Sequence, residues 1–132
     1  MLNKKCFTMM ELLVVIVIIG ILSALAYPNF GLNKERALDK EAKANLGFIQ
    51  EAEKYYKMES GSYYPASGNT NVAADINTNL KISIPTAAAS WTYAVDTDNS
   101  QATASRLPAA SRVWTLIYTG SAATCTGTGC PP

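Results

Sequence analysis

The sequence predicts an α+β fold, in which one long N-terminal α-helix packs on a small antiparallel β-sheet of about three to four strands. An uncharged apolar run from Leu12 to Ala26 predicts the first half of the helix, and a segment rich in Lys, Glu and Ala predicts its amphipathic second half. The sheet is predicted by short segments rich in aromatic and β-branched residues in the C-terminal half. A chain of 132 residues has room for one domain with a modest core.

The first half of the predicted helix is apolar on every side. All residues from Leu12 to Ala26 are apolar except Gly20 and Ser23, and Phe7 to Met10 extend the run to about the twenty residues that cross a bilayer. Glu11 interrupts this run near its start. Because a carboxylate in hydrocarbon is costly unless something pairs with it, Glu11 is the residue of this segment that most needs a function.

Three interpretations of this N-terminus remain open from the residues alone. Lys4 and Lys5 before an apolar run are typical of a signal peptide, but no small-x-small cleavage site follows Ala26. A single-pass anchor with cytoplasmic lysines is a second interpretation, in which Glu11 reaches back to the headgroup region. In the third, Glu11 pairs with the cationic amino terminus of a neighbouring copy and sets the register of stacked helices.

Several residues stand at fixed offsets from one another, namely Lys4, Lys5, Phe7, Thr8, Glu11, Gly20 and Pro28. This pattern resembles the N-terminal signature of the type IV pilin family, which includes the type II secretion pseudopilins. The likeness covers about residues 4–30. In that family Gly precedes the cleaved bond, whereas this chain has Cys6.

The resemblance implies a division into a leader peptide (1–6), a transmembrane and filament-core helix (7–28) and a globular pilin domain (29–132). A prepilin peptidase would cut between Cys6 and Phe7 and methylate the new amino terminus. The precursor would lie in the lipid of the bacterial inner membrane. An assembly platform there would then pack copies into a helical filament, either an extracellular pilus or a periplasmic pseudopilus, with local melting of the helix between Gly20 and Pro28.

The second half of the predicted helix is amphipathic. Its apolar residues recur every three or four positions and form one stripe, while the charged residues lie mostly off that stripe. The helix is expected to end at Ser60 to Ser62, with Gly61 as a left-handed cap. The stripe consists of Leu38, Ala42, Leu46, Ile49, Ala52 and Tyr56.

Three strands are predicted after a polar connection from Ala66 to Asn79. Lys81 to Ile84 is a short candidate, Trp91 to Val95 places alternate apolar residues on one face, and Arg112 to Tyr118 is apolar on both faces. The polar stretch from Ser100 to Ser111 is interpreted as a linker.

Two further clusters carry possible chemistry. Cys125 and Cys130 enclose a glycine-bearing loop and would lie on the oxidising side of the membrane, so a disulfide is predicted; many type IV pilins close a C-terminal loop in this way. Asp96, Asp98 and Asn99 could supply oxygen ligands for Ca²⁺, but a turn between strands is the favoured interpretation. We therefore predict no metal site and no cofactor.

Composition argues against several classes of function. The formal charge of +1 gives no sign of a specific nucleic-acid partner, and the absence of histidine removes the commonest general base. No catalytic residues are predicted, so the chain is not expected to be an enzyme. A filament-forming pilin is the favoured function, with a type II secretion pseudopilin as the first alternative. The second is a monomeric membrane-anchored binding module with a ligand surface at Trp91 and Tyr93.

Overall fold

A computed structural model of the chain describes residues 7–26, 30–86, 90–108 and 111–131. The chain divides into two compact units, Met1–Ala37 and Leu38–Pro132. The first is helical from Met9 to Ala26 and from Phe30 onward, and the second contains the sheet and the hydrophobic core.

The first unit contains helix α1, Met9–Ala26, and the first residues of helix α2, Phe30–Ser60. Each side chain described in α1 is exposed to solvent, although most are leucine, isoleucine or valine. No single helix among the described residues is long and apolar enough to cross a bilayer, but α1 and α2 together could do so as a broken pair, by length and composition. An apolar helix of this kind needs lipid or protein around it.

Helix α2 follows the predicted pattern. Its residues include many good helix formers, and it ends at Ser60, where the predicted cap Gly61 has a φ of +85° that glycine adopts without steric cost. Ala42, Leu46 and Ile49 of the predicted stripe are fully buried, and the remaining three members are partly buried. The predicted core face of the helix is therefore confirmed.

The sheet is antiparallel and its strands lie in sequence order, β1 to β5. Helix α3, Ala73–Leu80, follows β1 and precedes β2. A tight turn over residues 97–100 joins β2 to β3. The α+β fold class is confirmed, with five strands where the sequence predicted three or four. The strands are β1 (Asn69–Thr70), β2 (Trp91–Asp96), β3 (Gln101–Arg106), β4 (Arg112–Ile117) and β5 (Thr124–Gly127).

The core of the second unit lies between α2 and one face of the sheet. Along β2 the residues alternate between buried and half-buried, as the sequence predicted. On β4 one predicted face is buried, whereas the opposite face is half-buried at Val113 and Thr115 and exposed at Ile117. The buried residues of the sheet face are Trp91, Tyr93, Val95, Ala102, Ala104, Trp114, Leu116 and Tyr118.

Two segments differ from the prediction. The polar stretch after Ser100 contains strand β3, whose Ala102 and Ala104 are small enough to lie under α2 on the buried face. Helix α3 occupies part of the predicted connection, Ala66 to Asn79, because burial of Ile76 and Leu80 outweighs the weak helix propensity of its Asn, Asp and Thr residues.

The strand predicted at Lys81 to Ile84 is absent. Lys81 instead adopts a left-handed conformation and caps α3. The side-chain amide of Asn77 then bonds both backbone groups of Ile84, accepting from its N–H at 2.8 Å and donating to its carbonyl at 2.9 Å. These two bonds satisfy the groups that a neighbouring strand would otherwise have to pair.

Candidate assembly site at the amino terminus

Thr8 and Glu11 form a reciprocal cap at the start of α1. The backbone N–H of Glu11 donates to Thr8 Oγ1 at 3.2 Å, and the backbone N–H of Thr8 donates to Glu11 Oε2 at 3.4 Å. This is a capping box, in which the N-cap threonine and the acidic residue three positions later satisfy each other's backbone donors. The arrangement holds the Glu11 carboxylate at the positive end of the helix dipole.

The same carboxylate can still accept other hydrogen bonds. An ionised carboxylate has about four acceptor positions, and the cap uses one of them. Glu11 is exposed, and it is the only charged residue in the sequence of α1. The tip of α1 therefore presents one anionic group beside a long apolar surface, close in sequence to Phe7.

Other predicted residues of this site are less defined. Gly20 lies inside α1, where a Cβ would meet no atom within 4 Å among the described residues. Packing within the described chain therefore does not require glycine at this position. Lys4, Lys5, Cys6 and Pro28 lie outside the described residues. Local melting between positions 20 and 28 stays a prediction.

The C-terminal loop brings the two predicted cysteines together. Cys125 lies on β5 and Cys130 follows it by five positions, and the structure joins their sulfurs in a disulfide bond with the Cα atoms 5.8 Å apart. The enclosed segment includes Gly127 and Gly129, which both have positive φ. The glycines let a short loop turn back on itself.

The acidic segment after β2 forms a turn. Asp96 accepts hydrogen bonds from the backbone N–H of Asn99 at 3.2 Å and from its side-chain amide at 2.6 Å. The side-chain bond from Asn99 lowers the pKa of Asp96. Among the described residues, no three acidic, cysteine or histidine side chains are arranged to hold a metal ion.

The aromatic face of β2 belongs to the core. Trp91 and Tyr93 are each about 1% exposed. The indole N–H of Trp91 donates to the carbonyl of Leu38 at 3.0 Å, and the hydroxyl of Tyr93 accepts from the amide of Asn45 at 2.7 Å. These side chains therefore hold α2 against the sheet, and they are not an open ligand surface.

One polar cluster that sequence reasoning missed joins α2 to β4. Asp39 and Arg112 are both buried and form an ion pair, with Asp39 Oδ1 and Arg112 Nη2 at 3.1 Å. The indole N–H of Trp114 donates to the same Asp39 oxygen at 3.0 Å. Asp39 lies three residues before Ala42 on the edge of the apolar stripe, and that spacing was the available signal.

Two further buried polar residues that sequence reasoning missed, Gln50 and Glu53, lie farther along α2. Gln50 donates to the carbonyls of Ile117 and Gly120 at 2.9 and 2.7 Å, so it closes the end of β4 against α2. Glu53 is fully buried and accepts the backbone N–H of Tyr64 at 2.8 Å. Burial raises the pKa of Glu53 to about 7, since loss of water disfavours its charged form.

The fold and the amino-terminal geometry define a class of protein: a small α+β domain preceded by an exposed apolar helix with one acidic residue at its tip. Residues 1–27 match the family model described as the prokaryotic N-terminal methylation motif. No solved structure matches the chain significantly.

Curated relatives match part of the chain. The type IV major pilin protein PilA of Myxococcus xanthus is 41% identical over 61 residues, which cover 46% of this chain and 28% of that protein. The type II secretion system core protein G of Escherichia coli is 38% identical over 61 residues, which cover 46% of this chain and 42% of that protein. The type IV wide pilus major component PilA4 of Thermus thermophilus is 38% identical over 79 residues, covering 60% and 56%.

The matched region spans less than two thirds of the length of each of these relatives. Proteins of type IV pili and of type II secretion systems match at similar identity, and the methylation motif covers residues 1–27 of this chain. Over the part that matches, the chain is similar to proteins of the type IV pilin and type II secretion pseudopilin family.

Proposed function

We propose that this chain is a structural subunit of a type IV pilus-like filament, cut between Cys6 and Phe7, methylated at Phe7 and assembled through its N-terminal helix. One observation carries the proposal: α1 exposes a largely apolar surface with a single capped carboxylate, Glu11, near its start. A second copy of the same helix would cover such a surface in a fibre. Before assembly, membrane lipid would cover it.

Glu11 gives this packing a register. The amino group of Phe7 in a newly added copy carries a positive charge, and an apolar surrounding strengthens its attraction to a carboxylate. The capping box supports this role because it already holds the carboxylate at the tip of α1. In this proposal, the partners are further copies of the chain, a prepilin peptidase and an assembly platform in the inner membrane.

A periplasmic pseudopilus is the second candidate. It is favoured by the identity to core protein G, which is close to the identity to the pilin relatives. The two candidates share processing at Phe7 and packing through α1, and they differ in where the filament ends. Surface shearing separates them, since only an extracellular fibre is released from intact cells.

The first test concerns the mature amino terminus. Intact-mass spectrometry of the assembled protein should show a chain that lacks residues 1–6 and carries one methyl group on Phe7. Cys6→Gly should be processed at least as completely as the wild type, because it restores the residue that the family has before the cut. A full-length chain in the filament fraction would contradict the processing step.

A further inference from the structure

The disulfide loop is packed closely on the start of β4. Gly127 is the register partner of Arg112 in the β4–β5 pair. A Cβ at position 127 would collide with the backbone carbonyl of Ser111, so only glycine permits this approach. Thr128 also donates its hydroxyl to the same carbonyl at 3.2 Å. The bond between Cys125 and Cys130 closes the segment that makes these contacts.

Arg112 connects this loop to the interior. One guanidinium nitrogen, Nη1, donates to the carbonyl of Gly129 at 2.9 Å. The other, Nη2, lies 3.1 Å from Asp39 Oδ1 on α2. The guanidinium also lies over the ring of Trp91, 5.5 Å from its centroid. A single rigid group therefore contacts the disulfide loop and the helix at the same time.

Both members of the ion pair are buried, at 7% exposure each. A buried ion pair is stabilising only while its geometry and its additional hydrogen bonds are maintained. The Gly129 carbonyl supplies one of those bonds, and Gly129 lies inside the segment that the disulfide closes. Asp39 itself does not touch the loop in the contacts described; its partners are Arg112 and Trp114.

We propose that the Cys125–Cys130 disulfide is a redox-sensitive latch on the docking of α2. In the oxidised chain, the closed loop presents the Gly129 carbonyl to Arg112, and Arg112 holds Asp39 and with it α2 against the sheet. Reduction breaks the S–S bond, frees the loop and loosens this docking. The inference concerns the globular unit and does not depend on filament assembly.

The redox step is a thiol–disulfide exchange. A dithiol such as dithiothreitol gives two electrons and two protons to the cysteine pair, which becomes two thiols, while the reagent closes to its own cyclic disulfide. Coupling free energies are reciprocal. If oxidation favours the Arg112–Asp39 contact, then an intact contact must make the disulfide harder to reduce by the same factor.

The test compares two acid-to-amide variants on α2. Asp39→Asn weakens the ion pair that reaches the loop through Arg112. Glu51→Gln is the control, because it weakens the exposed ion pair in which Glu51 Oε1 and Lys54 Nζ are 2.8 Å apart. The full-length chain in mild detergent is equilibrated with fixed ratios of reduced to oxidised dithiothreitol. Free thiols are then alkylated and counted by mass spectrometry.

Asp39→Asn should raise the ratio of reduced to oxidised protein by about fivefold or more, a typical size for coupled sites. Glu51→Gln should leave the ratio within about twofold of the wild type. Equal ratios for Asp39→Asn and the wild type would overturn the proposal.

A measurement on the unmodified chain covers the case in which Asp39→Asn fails to fold. Hydrogen exchange of the α2 amides around Ala42 to Ile49 is recorded with and without reductant. Reduction should speed exchange there by about fivefold or more while leaving α3 unchanged. Unchanged exchange in α2 after complete reduction would refute the latch.

Discussion

Glu53 is a carboxyl group with no exposed surface, held on α2 against the segment after the helix and the end of β4. The backbone N–H of Tyr64 and the hydroxyl of Tyr118 face it, at 2.8 and 3.5 Å. Its strongest influence is burial, which raises its pKa, and the same burial raises the pKa of Tyr118. No ion pair of Glu53 is found among the residues that the structure describes.

The pH dependence of folding stability follows from the direction in which folding shifts the pKa of Glu53. The pKa of Glu53 is raised from 4.5 to about 7 in the folded chain, so the folded state binds the proton more tightly than the unfolded state does. The resulting contribution of Glu53 to folding stability is fully present below about pH 4.5 and is lost as the pH rises through about 7. The loss is on the order of 3 kcal/mol.

Glu53→Gln should remove this pH dependence. Its neutral amide oxygen can still accept the Tyr64 N–H, but the side chain no longer titrates. Urea unfolding of the full chain in detergent, at pH 5 and pH 8, measures the difference. The wild type should lose stability at pH 8 and Glu53→Gln should not, while the exposed control Glu51→Gln should behave as the wild type. If Glu53→Gln loses as much stability between pH 5 and pH 8 as the wild type does, then titration of Glu53 does not cause the loss.

At the scale of elements, α2 holds the second unit together through one apolar stripe. Leu46 is fully buried in this stripe, whereas Phe48, two positions later, is 63% exposed. Two large apolar residues on one helix therefore lie in opposite environments. The contrast permits a direct test of the core that α2 builds.

Leu46→Ala should lower the free energy of unfolding by about 2 to 5 kcal/mol, because it removes buried methyl groups and leaves a cavity. Phe48→Ala should cost less than about 1 kcal/mol, since its side chain is mostly in solvent. Denaturant unfolding of both variants in the same detergent gives the comparison. Similar losses for the two variants would mean that the stripe does not carry the core.

The sequence predicted elements whose patterns are strong and local. The α2 stripe and the alternation of β2 could be read directly, because both follow the period of their element. Strand β3 could not be predicted in this way, because the side chains of Ala102 and Ala104 are too small to indicate a buried face. The loss of the predicted strand at Lys81 to Ile84 depends on Asn77, whose side-chain bonds to Ile84 form only after α3 has folded.

The candidate site was predictable in part for a similar reason. The position of Glu11 in an apolar run indicated its importance, and the spacing from Thr8 to Glu11 contains a capping signal that the prediction overlooked. The buried partners Asp39 and Arg112 are far apart in sequence. Trp114, which also donates a hydrogen bond to Asp39, lies 75 residues from it. No local pattern reports such a contact.

At the scale of the whole molecule, the proposal assigns α1 to contacts between copies and the second unit to its own folding. Glu11 then has two separable roles, a cap on its own helix and a charge for its neighbour. Glutamine at the same position can also close a capping box, but it carries no charge. Thr8→Ala has the opposite effect, because it removes the cap hydroxyl and keeps the carboxylate.

The most direct measurement is electron microscopy of fibres from cells that express Glu11→Gln, Thr8→Ala or the wild type, with membrane levels and processing verified by intact mass. We expect Thr8→Ala to assemble and Glu11→Gln to assemble poorly, because the amine of each added copy would enter apolar surroundings without an anionic partner, at a cost of about 3 to 5 kcal/mol. Abundant normal fibres from correctly processed Glu11→Gln would contradict the account and leave Glu11 as a helix cap alone.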